Sequence, residues 1–210
     1  MFAEDLAPDA THAAPEFVKV LEDAVGALDL AGIPFGVIGG VASAAYGRPR
    51  CTKDIDVFCR VEDASPILDA LEPRGFEVER TNPAWIYKAF RDDVVVDVIF
   101  KAKADVYFDD EMQRRVATKS VFGVDTPLVP AEDVVVTKAI AMDESSPTHW
   151  WDALSIIATN EIDWDYLLVR ARKGPNRLSA LLHFAISSDI AVPTRVVRQL
   201  DELIASTWDQ

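Results

Sequence analysis

Asp54 and Asp56, two aspartates separated by one hydrophobic residue, have the side chains best placed for chemistry in this sequence. Side chains two positions apart on a β-strand project from the same face, so both carboxylates point one way while Ile55 and Val57 pack into a core. Two ionised carboxylates this close repel each other unless one stays protonated or a divalent cation lies between them. The pattern therefore predicts a metal-binding strand.

A third acid, Asp97, stands in the middle of the apolar run 94–100. An ionised carboxylate in so apolar a strand is costly unless it meets a counter-charge or a metal. If this strand lies beside that of Asp54, the three acids converge. Such a cluster suits two Mg²⁺ or Mn²⁺ ions about 3.5–4 Å apart, one polarising an acceptor hydroxyl and the other holding the departing phosphates.

A Gly-Gly pair, Gly39 and Gly40, precedes these acids at the junction of a predicted strand and helix. Without side chains, the backbone N–H groups of a helix N-terminus can approach a triphosphate, so this turn is a candidate nucleotide-binding element. Three side chains could assist it: Ser43 by its hydroxyl, and Arg50 and Lys138 by their charge. Their structural alternatives are a small helix residue, a charge that offsets nearby acids and a solvated helix lysine.

The helices and strands that must position these residues are predicted from the spacing of apolar residues and from the glycines and prolines that interrupt it. In the first part of the chain the pattern predicts helices at 15–31, closed by Gly32, at 41–46 and from 65 to Gly75, and strands at 34–38, 54–58, 76–80, 85–90 and 94–100. After Pro130 it predicts only helices, at 131–142, 148–158, 164–173, 177–186 and 194–205. The predicted fold class is α+β, a mixed β-sheet flanked by helices in residues 1–129, with a loose lead-in at 1–14, followed by a helical cap domain at 130–210.

Composition narrows the functional classes. The chain of 210 residues carries a formal net charge of −14, which repels phosphate backbones and makes an extended nucleic-acid surface unlikely. The acidic start and the lack of a long apolar run predict a cytoplasmic protein that does not contact a membrane.

Cys51 and Cys59 are too far apart along one extended run to form a disulfide. The signatures of phosphate-loop NTPases, dinucleotide enzymes and serine hydrolases are missing.

The run from Gly36 to Gly40, followed by the segment from Arg50 to Val57, resembles the signature of the DNA polymerase beta-like nucleotidyltransferase superfamily. The resemblance covers residues 17–100. It implies that Asp54 and Asp56 bind the metals, that Asp97 completes the site and helps to activate an acceptor hydroxyl, and that the Gly-Gly pair holds the triphosphate.

A later pattern is similar to a subgroup of bacterial nucleotidyltransferases that includes relatives of abortive-infection toxins. That subgroup has a Pro-acid-acid helix, a lysine and then an Arg-Asp-x-x-Asp-like segment. Residues 130–134, Lys138 and Asp152 match this pattern, while His149 stands where an acid is more usual.

The sequence thus favours a metal-dependent enzyme that transfers a nucleoside monophosphate from an NTP to a hydroxyl of a small-molecule or protein acceptor and releases pyrophosphate. Two alternatives remain open. One is a nucleotide-binding regulatory module without catalysis, and the other is a toxin that modifies tRNA or protein and has a partner antitoxin.

Overall fold

The computed structural model describes residues 13–47, 50 and 52–208. The chain divides into two compact units. The sheet unit comprises Met1–Ala45, Pro49–Lys101 and Tyr107–Val129, and the helical unit comprises Tyr46–Arg48, Ala102–Val106 and Pro130–Gln210. Most of the predicted lead-in, together with Arg48 and Cys51, lies outside the described residues.

One mixed sheet forms the centre of the sheet unit. Within the described residues it has seven strands, in the spatial order β3-β4-β5-β2-β1-β7-β6. The strands are β1 (Phe35–Ile38), β2 (Asp54–Cys59), β3 (Glu77–Asn82), β4 (Ile86–Arg91), β5 (Val94–Ile99), β6 (Ala117–Val121) and β7 (Val124–Leu128). The pairs β2/β5 and β1/β7 are parallel, and the other neighbouring strands are antiparallel.

Four helices belong mainly to this unit: α1 (Pro15–Ala31), α2 (Gly39–Tyr46), α3 (Ala64–Leu71) and α4 (Asp110–Arg114). α1 begins with a proline at its first position and ends at Gly32, whose φ of 65° is the left-handed conformation that favours glycine. α1 and α3 pack against each other and against the sheet. Ile55, Val57 and Val96, which alternate with the three aspartates, are at most 1% exposed. This alternation gives the sheet one apolar face and one acidic face.

The turn between β4 and β5 is the hairpin that the polar residues 91–93 predict. Both of its central residues, Asp92 and Asp93, have positive φ, at 51° and 60°. This is the conformation of a two-residue type I′ turn, whose twist matches that of the flanking strands. The turn fixes the register across the hairpin, from the pair Arg91 and Val94 onwards.

Two strands, β6 and β7, are absent from the sequence prediction. Four of the five side chains of β6 are exposed, so its apolar alternation is weak. β7 contains Pro127, and a proline within a run argues against a strand. The pair nevertheless forms because the turn at Phe122 and Gly123, both with positive φ, folds β6 back on β7, which then lies parallel to β1.

The helical unit contains α5 (Ala131–Ala141), α6 (Thr148–Thr159), α7 (Trp164–Ala171), α8 (Pro175–Ser187) and α9 (Thr194–Trp208). Each begins within two residues of the start that the sequence predicts. Together with the mixed sheet, these helices confirm the predicted fold class. In the described part of the chain, no helix is both long and apolar enough to cross a membrane.

Cys59 is a free thiol at the end of β2 and is fully buried. Burial is the main reason that the pKa of this thiol is raised far above its usual value, with Asp63 and Glu62 adding to the effect. The thiol therefore stays protonated, as expected for a reduced core cysteine.

Candidate active site

The three predicted acids lie on one face of two adjacent strands. β2 and β5 are parallel, and their register pairs Asp56 with Asp97 and Asp54 with Val95. Paired residues on neighbouring strands share a face and are about 4.8 Å apart, so Asp56 and Asp97 are direct neighbours. Asp54 is two residues before Asp56 on the same face. The sheet thus brings together the residues that the sequence singles out.

Lys88 on β4 is the neighbour of Asp97 on its other side. Register places the two residues opposite each other across the β4/β5 hairpin. The Lys88 Nζ donates a hydrogen bond to Oδ1 of Asp97 and forms an ion pair with it. The two side chains are 32% and 16% exposed, so the pair is only partly screened by water. This contact supplies the counter-charge that an acid in an apolar strand requires.

The Gly-Gly turn lies directly against the acid strand. Gly39, the first residue of α2, has a φ of 65°. A Cβ added there would overlap Oδ2 of Asp56 and stand 2.6 Å from its Cγ. Both the backbone conformation and the space therefore require glycine. The start of α2, where the first N–H groups lack intrahelical partners, is thus next to a carboxylate of the acidic face.

Gly40 packs against the loop that precedes β2. A Cβ on Gly40 would stand 2.8 Å from Cβ of Thr52 and 3.5 Å from Nη2 of Arg50. The Arg50 guanidinium therefore lies beside the Gly-Gly turn, as its predicted phosphate-binding role requires. The hydroxyl of Thr52 donates to Oδ1 of Asp54 over 2.7 Å and so positions that carboxylate.

Ser43 is also near the turn, but its hydroxyl has a local partner. It donates to the carbonyl oxygen of Gly39 over 2.8 Å, one helical turn earlier, and the side chain is completely buried. This hydrogen bond holds the first turn of α2. A contact between Ser43 and phosphate stays a prediction.

The donor set fits a divalent cation. Carboxylate oxygens are the ligands that Mg²⁺ and Mn²⁺ prefer, and three carboxylates share one face beside a turn that has no side chains. Among the residues that the structure describes, however, no three acidic, histidine or cysteine side chains form a preassembled metal cluster. Asp97 is instead turned to Lys88, and Asp54 to Thr52. Metal binding by these acids stays a prediction.

Lys138 lies in the helical unit and is buried there with Asp152. Its Nζ donates to Oδ2 of Asp152 over 2.9 Å, and the two side chains are 5% and 0% exposed. The alternative that Lys138 is a solvated helix lysine is therefore wrong, because this lysine is buried and pairs with a buried acid. Its predicted contact with nucleotide stays a prediction.

The two acids at the start of α5 also have structural partners in this unit. Oε1 of Glu132 accepts the backbone N–H of Asp163 over 2.8 Å, just before α7. Asp133 accepts hydrogen bonds from the Tyr166 hydroxyl and from Nε of Arg170, each over 2.5 Å. The pattern shared with the toxin-containing subgroup is thus part of the interior of the helical unit. His149 lies in the first turn of α6.

Replacing Lys138 by methionine is expected to lower the free energy of unfolding by about 3–5 kcal/mol, because the buried carboxylate of Asp152 then loses the ammonium that it pairs with. The double variant K138M/D152L, which removes both charges, should recover most of this loss in chemical denaturation. If it is no more stable than K138M, the ion pair is not the cause. An NTP titration of the double variant then measures whether Lys138 also contacts the triphosphate.

Two site residues, Lys88 and Thr52, are missing from the sequence prediction. Lys88 has a signal that sequence reasoning could have used. Once the turn is placed at Asp92 and Asp93, counting back along both strands pairs residue 88 with residue 97. Thr52 precedes Asp54 by two positions, a spacing typical of short side-chain hydrogen bonds, but only the structure shows its direction.

The chain belongs to the family described as nucleotidyl transferase of unknown function (DUF2204), whose model matches residues 17–173. The superfamily resemblance seen in the sequence is thereby confirmed, as is the prediction of an enzyme. No curated protein matches the chain by sequence.

Solved structures of nucleotidyltransferases share the fold. The solution structure of the antibiotic-resistance factor ANT(2'')-Ia matches with a TM-score of 0.55 and 17% identity, covering 80% of this chain and 96% of that one. The crystal structure of the lincosamide antibiotic adenylyltransferase LnuA, bound to lincomycin, matches with a TM-score of 0.50 and 11% identity, covering 71% of this chain and 99% of that one. At these identities the likeness concerns the fold.

Proposed function

We propose that this protein transfers a nucleoside monophosphate from an NTP to a hydroxyl of a small-molecule acceptor with the help of a divalent cation. One observation carries the proposal. The glycine turn at the start of α2 packs on Asp56, and Asp56 is the register partner of Asp97. The glycine turn that we assign to phosphate binding and a pair of carboxylates are therefore immediate neighbours, which is an arrangement that suits nucleotidyl transfer.

The triphosphate would bind at the first turn of α2. The backbone N–H groups of Gly39 and Gly40 offer hydrogen bonds to phosphate oxygens, and the positive end of the helix dipole favours anions there. The Arg50 guanidinium beside Gly40 adds a positive charge and a planar set of donors that matches phosphate geometry. These groups hold the β- and γ-phosphates and leave the α-phosphate facing the acids.

Asp54, Asp56 and Asp97 would hold the cation, Mg²⁺ or Mn²⁺, on the acidic face. When bound, such a cation neutralises phosphate charge and makes an acceptor hydroxyl easier to deprotonate. Thr52 keeps Asp54 oriented by its hydrogen bond, and the buried Ile55 and Val57 anchor the strand from the other face. The acids are thus fixed by the sheet before substrate arrives.

The transfer is an in-line displacement. The acceptor oxygen forms a bond to the α-phosphorus while the bond from that phosphorus to the bridging oxygen of pyrophosphate breaks. The hydroxyl proton passes to a carboxylate of the acidic face, for which Asp97 is our candidate, and the leaving electron pair stays on pyrophosphate. Positioning and charge neutralisation supply most of the rate enhancement.

A small molecule is the acceptor class that the charge favours. A formal net charge of −14 opposes long-range attraction of a nucleic acid and favours a neutral or cationic acceptor. One structural neighbour, LnuA, is described as an antibiotic adenylyltransferase with a small molecule bound. Lincosamide antibiotics such as lincomycin, which carry several hydroxyl groups, are therefore suitable first probes.

The test uses α-phosphate-labelled NTPs with Mg²⁺ or Mn²⁺, offered together with these antibiotics or with a cell extract separated into small-molecule and macromolecular fractions. We expect pyrophosphate release and transfer of label to a small molecule. Label found only in the macromolecular fraction would refute a small-molecule acceptor and favour the toxin alternative. Release of no pyrophosphate with any NTP and either fraction would contradict the proposed transfer.

A further inference from the structure

Lys88 is the charged group whose position the proposed transfer reaction does not explain. It stands in the apolar run of β4 and contacts the acid that we place third in the metal site. Across the sheet, the row of paired residues runs from Lys88 through Asp97 to Asp56. Asp97 thus has an ammonium on one side and a carboxylate on the other.

The charge balance of this row explains why a lysine is needed when no metal is bound. Asp97 is only 16% exposed and lies between Val96 and Val98, which are fully buried. An ionised carboxylate in these surroundings is costly without a counter-charge, and a neighbouring carboxylate adds repulsion. The ammonium of Lys88 offsets both costs. It therefore stabilises the protein before a cation arrives.

The same ammonium opposes a cation. A divalent ion held by Asp56 and Asp97 would share the Asp97 carboxylate with the positive charge of Lys88 that is already bound to it, and two like charges on one carboxylate would repel in this partly solvated site. A triphosphate brings several negative charges and offsets this repulsion. The site should therefore bind a free cation weakly and a cation accompanied by nucleotide tightly.

We propose that Lys88 is a resident counter-cation of the metal site: it lowers the affinity for free divalent cations and so couples their binding to that of the NTP. This inference rests on the proposed function, since it requires the acids to bind a cation. It makes Lys88 a positioning residue that acts through Asp97. Metal binding, rather than turnover, is its direct readout.

The test measures the affinity for Mn²⁺ from the electron paramagnetic resonance signal of the free ion, with and without a non-hydrolysable NTP. For Lys88→Met we expect Mn²⁺ alone to bind about tenfold more tightly than to the wild type, because the competing charge is gone. The gain in Mn²⁺ affinity caused by nucleotide should shrink accordingly. The melting temperature without metal should fall, because Asp97 loses its counter-charge.

Three variants separate charge from packing. Lys88→Arg keeps the charge and should behave as the wild type, while Lys88→Gln keeps a hydrogen-bond donor without the charge and should behave as K88M. The matched control, Lys119→Met, removes a lysine from β6 at the opposite edge of the same sheet and should leave Mn²⁺ affinity unchanged. K88Q also preserves the test if K88M fails to fold.

Unchanged or weaker binding of free Mn²⁺ by K88M and K88Q would overturn the role of Lys88. The failure of the proposed function is distinguishable, because it appears in a different variant. If Asp56→Asn binds Mn²⁺ as tightly as the wild type, the acidic face is not the metal site. If D56N loses Mn²⁺ binding and the Lys88 variants bind Mn²⁺ no more tightly than the wild type, only the inference about Lys88 falls.

Discussion

Asp56→Asn is expected to abolish nucleotidyl transfer and to leave the protein folded. Asp56 connects the two parts of the proposed site. Its carboxylate lies against Gly39 in the glycine turn, and its register partner on the neighbouring strand is Asp97. An amide of the same shape keeps the packing and loses the charge that a divalent cation needs. Cation assistance contributes several kcal/mol to such reactions, so the rate of pyrophosphate release should fall by at least about 10³-fold.

The control for this variant is Asp125→Asn, which makes the same chemical change on β7 at an exposed position of the same sheet. It should retain wild-type activity. Circular dichroism and thermal unfolding should show both variants folded. A D56N protein that is folded and transfers nucleotide at more than a tenth of the wild-type rate would contradict the assignment of the site.

Gly39→Ala is expected to have the second-largest effect, with a loss of NTP binding and a lower stability. Alanine at a φ of 65° costs about 1–2 kcal/mol of backbone strain. The new Cβ would also overlap the Asp56 carboxylate, so either this acid or the first turn of α2 must move. Both belong to the proposed nucleotide site. Isothermal titration with a non-hydrolysable NTP should show affinity reduced by about 100-fold or more, since phosphate contacts and charge geometry are lost together.

Gly32→Ala separates strain from the steric effect. Gly32 has the same φ of 65°, but a Cβ there would meet nothing within 4 Å. This variant should lose about 1–2 kcal/mol of unfolding free energy and keep the NTP affinity of the wild type. Equal NTP affinities of G39A and G32A would show that the contact between the glycine turn and Asp56 does not matter for binding.

Much of the site is predictable because most of its residues lie in two short sequence motifs. The alternation of Asp54 and Asp56 with Ile55 and Val57 fixes which side chains share a face, whatever the strand packs against. The Gly-Gly pair indicates a turn between strand and helix, and the turn does lie there, with Gly39 at its first helical residue. Convergence of the three acids requires the strand of Asp97 to lie beside that of Asp54, and the sheet meets this condition.

Other features depend on contacts between segments far apart in the chain. β6 and β7 have a weak pattern, and their place beside β1 is decided by sheet pairing rather than by propensity. The local sequence of Lys138 is compatible with a solvated helix lysine, yet the side chain is buried and pairs with Asp152 on the next helix. Local sequence does not reveal such pairs, because burial of a charge depends on what the rest of the chain places around it.

Sequence by itself was enough to recognise the class of this protein from a family resemblance, to predict the α+β fold class and most of its elements, and to single out the three acids, since side-chain periodicity and glycine chemistry are local properties. Only the tertiary structure decided which groups lie next to each other: Lys88 beside Asp97, the glycine turn beside Asp56, and Lys138 beside Asp152. The physical reason is that strand register and helix packing are set by the burial of the whole core. An electrostatic partner is therefore a result of the fold, and no single segment specifies it.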